Sequence, residues 1–225
     1  SQTIQEHQIS IKGLNIYYLT AGNSENPPLL LLSGIGGSYE LVDSYRRKFL
    51  SILGEDFYIY APEHPGHNRS QTPSNPWGMN EYVDYVEEFS QKLSINHPIV
   101  MGQSFGGKLA QLYAARHPQS VRLLVVGNSS TSFGEPTFYE QLLPLSGKLE
   151  GLFHSSFVPG FIKKFIVKYA FSVPEDFLHK DLSNYSAMGS FYANIRGNYT
   201  DELKNINMPT IIIWGKKDKQ FPLKQ

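Results

Sequence analysis

The sequence contains no cysteine, no excess of either charge and no long apolar run. Without cysteine the chain has no disulfide, no thiolate metal site and no cysteine nucleophile. Lysine plus arginine number 20 and aspartate plus glutamate also number 20, and this zero net charge argues against a nucleic-acid partner. No apolar run reaches the roughly 18 residues that span a bilayer, and the polar N-terminus does not resemble a signal peptide. These absences favour a soluble protein of the cytoplasm that makes no contact with a membrane.

Hydrophobic residues make up 40% of the 225 residues, which is enough to form a substantial core. At about 150 residues per domain, the length predicts one large domain or one domain that carries an insertion.

Apolar runs and amphipathic segments alternate along the chain. A hairpin is predicted at the start, with its turn at Lys12-Gly13. Short apolar runs bounded by turn residues predict buried strands, and apolar residues at helical spacing predict helices between them. The later strands are predicted at 28–32, 57–61, 99–101, 121–126 and 210–214, and the helices at 41–53, 80–95 and 105–117. This order predicts an α/β fold with a mostly parallel, doubly wound sheet and an N-terminal antiparallel hairpin. Ligands of such sheets bind at the carboxyl ends of the strands.

Residues 131–200 break this alternation. The segment holds nearly half of the aromatic residues, carries no clear strand and is divided by four prolines. Within it, residues 161–171 combine an apolar stripe with lysines, a pattern more typical of a cap helix than of a membrane-binding helix. We therefore predict a helical cap at 131–205, inserted between core segments 1–130 and 206–225. Ordinary connecting helices are the alternative.

A serine stands at the predicted junction between a strand and a helix. The segment Gly102–Gly106 reads GQSFG and matches the G-x-S-x-G pattern. A serine at such a turn has a strained backbone, and the small flanking residues let strand and helix approach so that the hydroxyl projects from the sheet. Ser104 is therefore the predicted nucleophile. The alternative is a tight turn that happens to contain serine.

Four segments together resemble the α/β-hydrolase family. They correspond to the oxyanion loop, the loop after the next strand, the nucleophile elbow with its helix and strand, and the strand that carries the catalytic acid. In order they are Leu29–Gly37 (LLLLSGIGG), Ala61–Ser70 (APEHPGHNRS), Gly102–Asn128 (GQSFGGKLAQLYAARHPQSVRLLVVGN) and Pro209–Asp218 (PTIIIWGKKD). The resemblance implies the α/β-hydrolase fold and a serine hydrolase.

The resemblance also implies roles for individual residues. The catalytic residues are Ser104 as nucleophile and Asp218 as the acid that orients the base. The oxyanion hole uses the backbone N–H groups of Ile35 and Phe105, and the substrate contacts Gly34 and Gln103. No metal or cofactor is implied.

Three positions depart from the family pattern without affecting the chemistry. Ser33 stands where histidine is frequent, Glu63 where aspartate is usual and Asn68 where glycine is usual. We expect these residues to shape loops.

The catalytic base is the serious departure. In the family the order is serine, acid, histidine, but no histidine follows Asp218 in this sequence. Without a base, a serine hydroxyl is a poor nucleophile at neutral pH. The earlier candidates are His64, His67, His154 and His179, each more typical of a structural role. We expect the sequence to be a fragment of a longer protein. A second chain that completes the fold and a non-catalytic member are the alternatives.

The predicted activity is hydrolysis of a carboxylic ester or a related acyl compound through an acyl-enzyme on Ser104. The aromatic cap favours an apolar or aromatic substrate. On the same scaffold, carbon–carbon bond hydrolysis, thioester hydrolysis and lyase chemistry remain open, as does a binding protein without catalysis.

Overall fold

The computed structural model describes residues 3–35, 39–129, 159, 161, 195, 197–216 and 218. Strands and helices alternate along these segments as predicted, with end positions that differ by about two residues. The strands are β1 (Gln5–Ile11), β2 (Leu14–Ala21), β3 (Pro28–Leu32), β4 (Tyr58–Pro62), β5 (Ile99–Gln103), β6 (Leu123–Gly127) and β7 (Thr210–Ile213). The helices are α1 (Tyr39–Leu53), α2 (Met79–Lys92), α3 (Phe105–Arg116) and a 3₁₀ helix (Thr200–Asn205). None of the described helices is long and apolar enough to cross a membrane.

The seven described strands form one mixed sheet in the order β1-β2-β4-β3-β5-β6-β7. The pairs β1–β2 and β2–β4 are antiparallel. The other four pairs, β4–β3, β3–β5, β5–β6 and β6–β7, are parallel. This confirms the predicted fold class. It also brings the carboxyl ends of β3, β5, β6 and β7 to one edge of the sheet, where ligands of parallel sheets bind.

The N-terminal hairpin closes with a two-residue turn. Lys12 and Gly13 have φ values of 49° and 76°, and Ile11 pairs directly with Leu14. Two consecutive positive φ values match the right-handed twist of the flanking strands. The predicted turn at Lys12-Gly13 is therefore confirmed.

The core lies on both faces of the sheet, because side chains alternate along each strand. Leu30 and Leu32 of β3 point to one face, where they pack with Phe89 of α2 and Leu109 of α3. Their neighbours in β3 point to the other face, toward Leu50 of α1. Residues in the middle of β3 are thus buried on both sides, as their unbroken apolar run predicts.

The burial predicted for β7 is wrong. Ile211, Ile212 and Ile213 are 48%, 68% and 55% exposed. The strand pairs with β6 along one side and is the edge of the described sheet. An apolar run therefore predicted the strand but not its burial, because burial depends on which elements cover the strand.

The segment that precedes β7 is attached to α3 by charged side chains. Lys108 is 1% exposed, and its Nζ donates to the carbonyl oxygens of Ile195 and Gly197 at 3.0 and 3.4 Å. Burial lowers the pKa of Lys108 to about 8. Arg116 forms a bidentate ion pair with Glu202 of the 3₁₀ helix: its Nε donates to Oε2 at 2.7 Å and its Nη2 donates to Oε1 at 3.0 Å. These contacts fix where the chain returns to the core.

The predicted cap lies outside the described residues, apart from Pro159, Phe161, Ile195 and residues 197–205. Its helices, and the division into core and cap, therefore stay predictions.

Candidate active site

Ser104 occupies the turn between β5 and α3. Its φ and ψ are 55° and −124°, a conformation that L-residues other than glycine rarely adopt. Serine is a favoured N-cap residue, yet the Ser104 side chain makes no capping bond to α3. The strained turn therefore keeps the half-buried hydroxyl away from the helix backbone, as the motif predicts.

Glycines let β5 and the end of β6 approach α3 at this turn. A Cβ atom on Gly102 would stand 2.1 Å from the carbonyl oxygen of Gly106, and one on Gly107 would stand 2.5 Å from Cβ of Ser129. Real Cβ atoms do not come so close to other atoms. The Ser129 hydroxyl uses this proximity to donate to the Ser104 carbonyl oxygen at 2.7 Å. The backbone of the nucleophile is thus held by the end of β6 as well as by its own strand.

The loop after β3 lies directly against Ser104. A Cβ atom on Gly34 would stand 3.1 Å from Cβ of Ser104 and 2.8 Å from Oε1 of Gln103. A Cβ atom on Gly127 would stand 3.7 Å from Cγ of Gln103, so the exposed Gln103 side chain lies against both glycines. The predicted substrate contacts Gly34 and Gln103 are therefore neighbours of the nucleophile at the carboxyl edge of the sheet. Their contact with substrate stays a prediction.

The two predicted oxyanion donors are Phe105, which follows Ser104 directly, and Ile35, in the loop whose Gly34 lies against Ser104. Phe105 is the first residue of α3, where backbone N–H groups point out of the helix N-terminus and favour negative charge. Ile35 follows Gly34 in the adjacent loop and packs against the core. This arrangement suits an oxyanion that forms next to the Ser104 hydroxyl.

His64 supports the same loop from a neighbouring segment. Its Nε2 donates to the carbonyl oxygen of Ser33 at 2.9 Å, and its ring meets the Phe105 ring edge-on at 5.2 Å. The residue is 3% exposed, and burial lowers its pKa to about 3. His64 is therefore neutral at physiological pH and carries its proton on Nε2. It connects the segments that bear both predicted oxyanion donors.

Glu63 stabilises the loop that carries His64. Its carboxylate is fully buried and accepts hydrogen bonds from Arg46 Nη2, Arg69 Nη2 and the Arg69 backbone N–H, each at 2.8 Å. Replacement of the family's usual aspartate by glutamate thus leaves a bonded carboxylate in a structural position. This agrees with the loop-shaping role expected from the sequence.

Asp218 lies beyond the carboxyl end of β7. Its backbone N–H donates to Gly215 at 3.0 Å, and Nδ2 of Asn128 donates to its Oδ2. The backbone N–H of Ser104 donates to the carbonyl oxygens of Gly127 and Asn128, at 3.1 and 3.2 Å. The structure therefore brings Ser104 and Asp218 to the ends of β5 and β7, which flank β6, and Asn128 at the end of β6 is bonded to both.

The described histidines have partners other than Ser104. His64 and His67 bond to carbonyl oxygens, and the others contact residues elsewhere on the core. The contacts are His64 with Ser33, His67 with Pro65, His7 with Thr20, His97 with Gln119, and His117 with Glu87. His154 and His179 lie outside the described residues. This agrees with structural roles for His64 and His67.

Sequence reasoning missed Asn128 and the Ser129 hydroxyl. Both follow β6 directly, and the rule that site residues follow parallel strands applies to them. Asparagine and serine are common after strands, so the rule alone could not have given either residue a role.

Comparison with known proteins identifies the family. The alpha/beta hydrolase fold family matches residues 27–196. The chain belongs to this family.

Curated relatives in the family are hydrolases at low identity. A 2-hydroxy-6-oxononadienedioate/2-hydroxy-6-oxononatrienedioate hydrolase of Pseudomonas sp is 24% identical over 93% of this chain and 77% of that protein. The 3-oxoadipate enol-lactonase 2 of Acinetobacter baylyi is 23% identical over 93% of this chain and 78% of that protein. Among solved structures, a putative lipase from Acinetobacter baumannii aligns with a TM-score of 0.72 and 20% identity, covering 98% of this chain and 77% of its own. That likeness confirms the α/β-hydrolase fold and no particular reaction.

Proposed function

We propose that this family member is a serine hydrolase that cleaves a carboxylic ester or a related acyl compound. The observation that carries the proposal is the junction at Asn128. This residue accepts a hydrogen bond from the Ser104 backbone and donates one to the Asp218 carboxylate. A nucleophile and an acid held at one edge of the sheet, at the ends of the two strands that flank β6, supply two of the three groups that acyl transfer uses.

In the proposed first step, Ser104 Oγ attacks the carbonyl carbon while a histidine base takes the hydroxyl proton. The base lies outside the described residues, and Asp218 orients it. The carbonyl oxygen becomes an oxyanion that accepts hydrogen bonds from the N–H groups of Phe105 and Ile35. Loss of one such donor costs about 10²–10³ in kcat.

The rest of the proposed reaction has two stages, collapse of the tetrahedral intermediate to an acyl-enzyme and hydrolysis of that acyl-enzyme. The bond from the carbonyl carbon to the leaving oxygen breaks, the base returns its proton to that oxygen, and the alcohol departs. A water molecule, deprotonated by the same base, then attacks the acyl carbon of the acyl-enzyme. The bond from that carbon to Ser104 Oγ breaks, and the base returns its proton to Oγ, which releases the carboxylic acid and restores the serine hydroxyl. No metal or cofactor takes part in this scheme.

The proposed substrate is a small molecule with an apolar or aromatic acyl group, encountered in the cytoplasm. The aromatic composition of residues 131–200 supports this preference. Comparison of rates on acetate, long-chain and aromatic esters tests the preference, and equal rates would contradict it. Thioesters and carbon–carbon substrates in the same panel separate the esterase proposal from other reactions of the scaffold.

Reaction with a fluorophosphonate tests the nucleophile. Intact-mass spectrometry of the complete natural protein should reveal one covalent adduct, which is absent in Ser104→Ala. Absence of an adduct on the wild-type protein would overturn the catalytic proposal in favour of a binding protein. An adduct that persists in Ser104→Ala would show that a different residue is the nucleophile.

A further inference from the structure

Asn128 has an unusual backbone conformation at the end of β6. Its φ is 39°, in the left-handed region where asparagine, aspartate and glycine are the residues most easily accommodated. A turn requirement alone would therefore explain why asparagine stands here. It would not explain the contacts of the side chain.

Both ends of the Asn128 carboxamide are bonded to the segment that carries the acid. Nδ2 donates to Oδ2 of Asp218, and Oδ1 accepts from the backbone N–H of Gly215 at 3.2 Å. The Gly215 bond fixes the amide plane, because it leaves Nδ2 pointed at the carboxylate. A donor whose own orientation is fixed restrains its acceptor more strongly than a freely rotating group does.

The backbone of Asn128 makes a separate set of contacts. Its N–H donates to Ile213 of β7, and its carbonyl oxygen accepts from the N–H of Ser104, both at 3.2 Å. Because these bonds use main-chain atoms, a substitution that keeps the backbone conformation keeps them. The side-chain bonds to Asp218 and Gly215 can therefore be removed while the main-chain bonds stay.

We propose that Asn128 is a positioning residue that acts through Asp218: its carboxamide holds the acid at a fixed place relative to the nucleophile. The inference rests on the proposed function, because an acid has a base to orient only in a catalytic protein. The bond from an amide to a carboxylate is charge-assisted and shorter than a bond between neutral groups. It restrains the carboxylate that must orient and stabilise the base.

Asn128→Gly in the complete natural protein removes the carboxamide while the positive φ and the backbone bonds remain. The measurement is the rate of phosphonylation at Ser104 by a fluorophosphonate, in the wild-type and the Asp218→Ala backgrounds. We expect a slowing of about 10–100-fold in the wild-type background, by analogy with the range found when hydrogen-bond partners that orient metal ligands are removed. In the Asp218→Ala background we expect a slowing of less than about twofold, because residues that act through one another are not additive.

Asn128→Asp serves as the second variant. Aspartate also accommodates the positive φ and has the same size, but it places a carboxylate oxygen against Oδ2 of Asp218 instead of a donor. We expect it to slow phosphonylation at least as much as Asn128→Gly. Circular dichroism and the thermal midpoint identify variants that are folded.

The outcomes separate this inference from the proposed function. An equal loss in both backgrounds would mean that Asn128 acts on the elbow rather than through Asp218, and would overturn the inference. Wild-type rates in both Asn128 variants would overturn it as well. An unreactive wild-type protein would overturn the proposed function and this inference together.

Discussion

Gly106 lies so close to Leu32 that a Cβ atom on the glycine would stand 2.0 Å from the leucine carbonyl oxygen. The next contact, with the Ser33 carbonyl oxygen at 2.5 Å, is also to backbone, which cannot rotate away. Helix α3 therefore contacts the end of β3 backbone to backbone, with no side chain of Gly106 between them. This approach places the N-terminus of α3 beside the loop that carries Gly34 and Ile35.

Gly106→Ala tests this close packing. The methyl group must displace β3 or α3, so we expect the free energy of unfolding to fall by about 3 kcal/mol or more, at the upper end for overpacked sites. Gly127→Ala is the matched control at the same edge, because its Cβ would meet Gln103 at an ordinary 3.7 Å. We expect a change of less than about 1 kcal/mol there. Urea unfolding measures both values, and similar losses in the two variants would contradict the packing argument.

The nucleophile turn could be predicted because its requirements are local. Gly102, Ser104 and Gly106 lie within five residues in a recognisable pattern, and Gly102 is needed for a contact within the turn itself, although Gly106 is needed for its approach to β3. The strands and helices could be predicted for the same reason, since each has its own apolar pattern.

The contacts of Asn128 and His64 could not be predicted, because they depend on distant parts of the chain. Asn128 meets Asp218 only because β7 pairs with β6 in a particular register, with Gly127 opposite Ile213. His64 meets Ser33 across the interface between two loops. The role of Asp218 was inferred from the family resemblance, not from a local requirement, and its function stays a prediction.

Backbone strain at Ser104 predicts that glycine at this position stabilises the fold more than alanine does. The φ and ψ of 55° and −124° suit glycine, and strain of this kind costs about 1–3 kcal/mol in other residues. Ser104→Gly relieves the strain, whereas Ser104→Ala keeps a Cβ atom and removes only the hydroxyl. After the entropic cost of glycine in the unfolded chain, we expect Ser104→Gly to be more stable than Ser104→Ala by about 1 kcal/mol. Equal unfolding free energies of the two variants would argue against strain at this turn.

The buried carboxylate of Glu63 predicts a large effect from a small change. Glu63→Gln removes one of the two carboxylates that pair with Arg46, whose side chain is 1% exposed; the other is Asp43. Removal of one partner from a buried ion pair costs about 3–5 kcal/mol when the remaining charge is left without compensation, and because Asp43 stays paired with Arg46 we expect a loss toward the lower end, about 3 kcal/mol. Glu63→Asp retains the charge with one methylene fewer, so we expect a clearly smaller loss. Chemical denaturation compares the variants, and an equal loss would mean that side-chain length rather than charge is critical.

The low pKa values of His64 and His67 predict that stability falls on mild acidification. Burial lowers the pKa of His64 to about 3 and that of His67 to about 4, against an ordinary value of 6.5. Between pH 6.5 and about 4 the unfolded chain binds protons that the native protein does not. The contribution of these histidines to the free energy of unfolding is therefore fully present above pH 6.5. It is lost as the pH falls toward about 4, by about 1.4 kcal/mol per pH unit for each histidine.

Two substitutions isolate the contribution of His64. His64→Phe keeps an aromatic ring against Phe105, and His64→Gln keeps a donor that can reach the Ser33 carbonyl oxygen. Neither side chain titrates, so both should reduce the slope of unfolding free energy against pH by about 1.4 kcal/mol per pH unit between pH 6 and 4.5. At pH 7.5 the glutamine variant should be the more stable of the two, because it alone can replace the hydrogen bond to Ser33. If instead the unfolding free energy of both variants depends on pH with the same slope as that of the wild-type protein, the result would show that His64 takes up its proton in the folded protein, contrary to its burial.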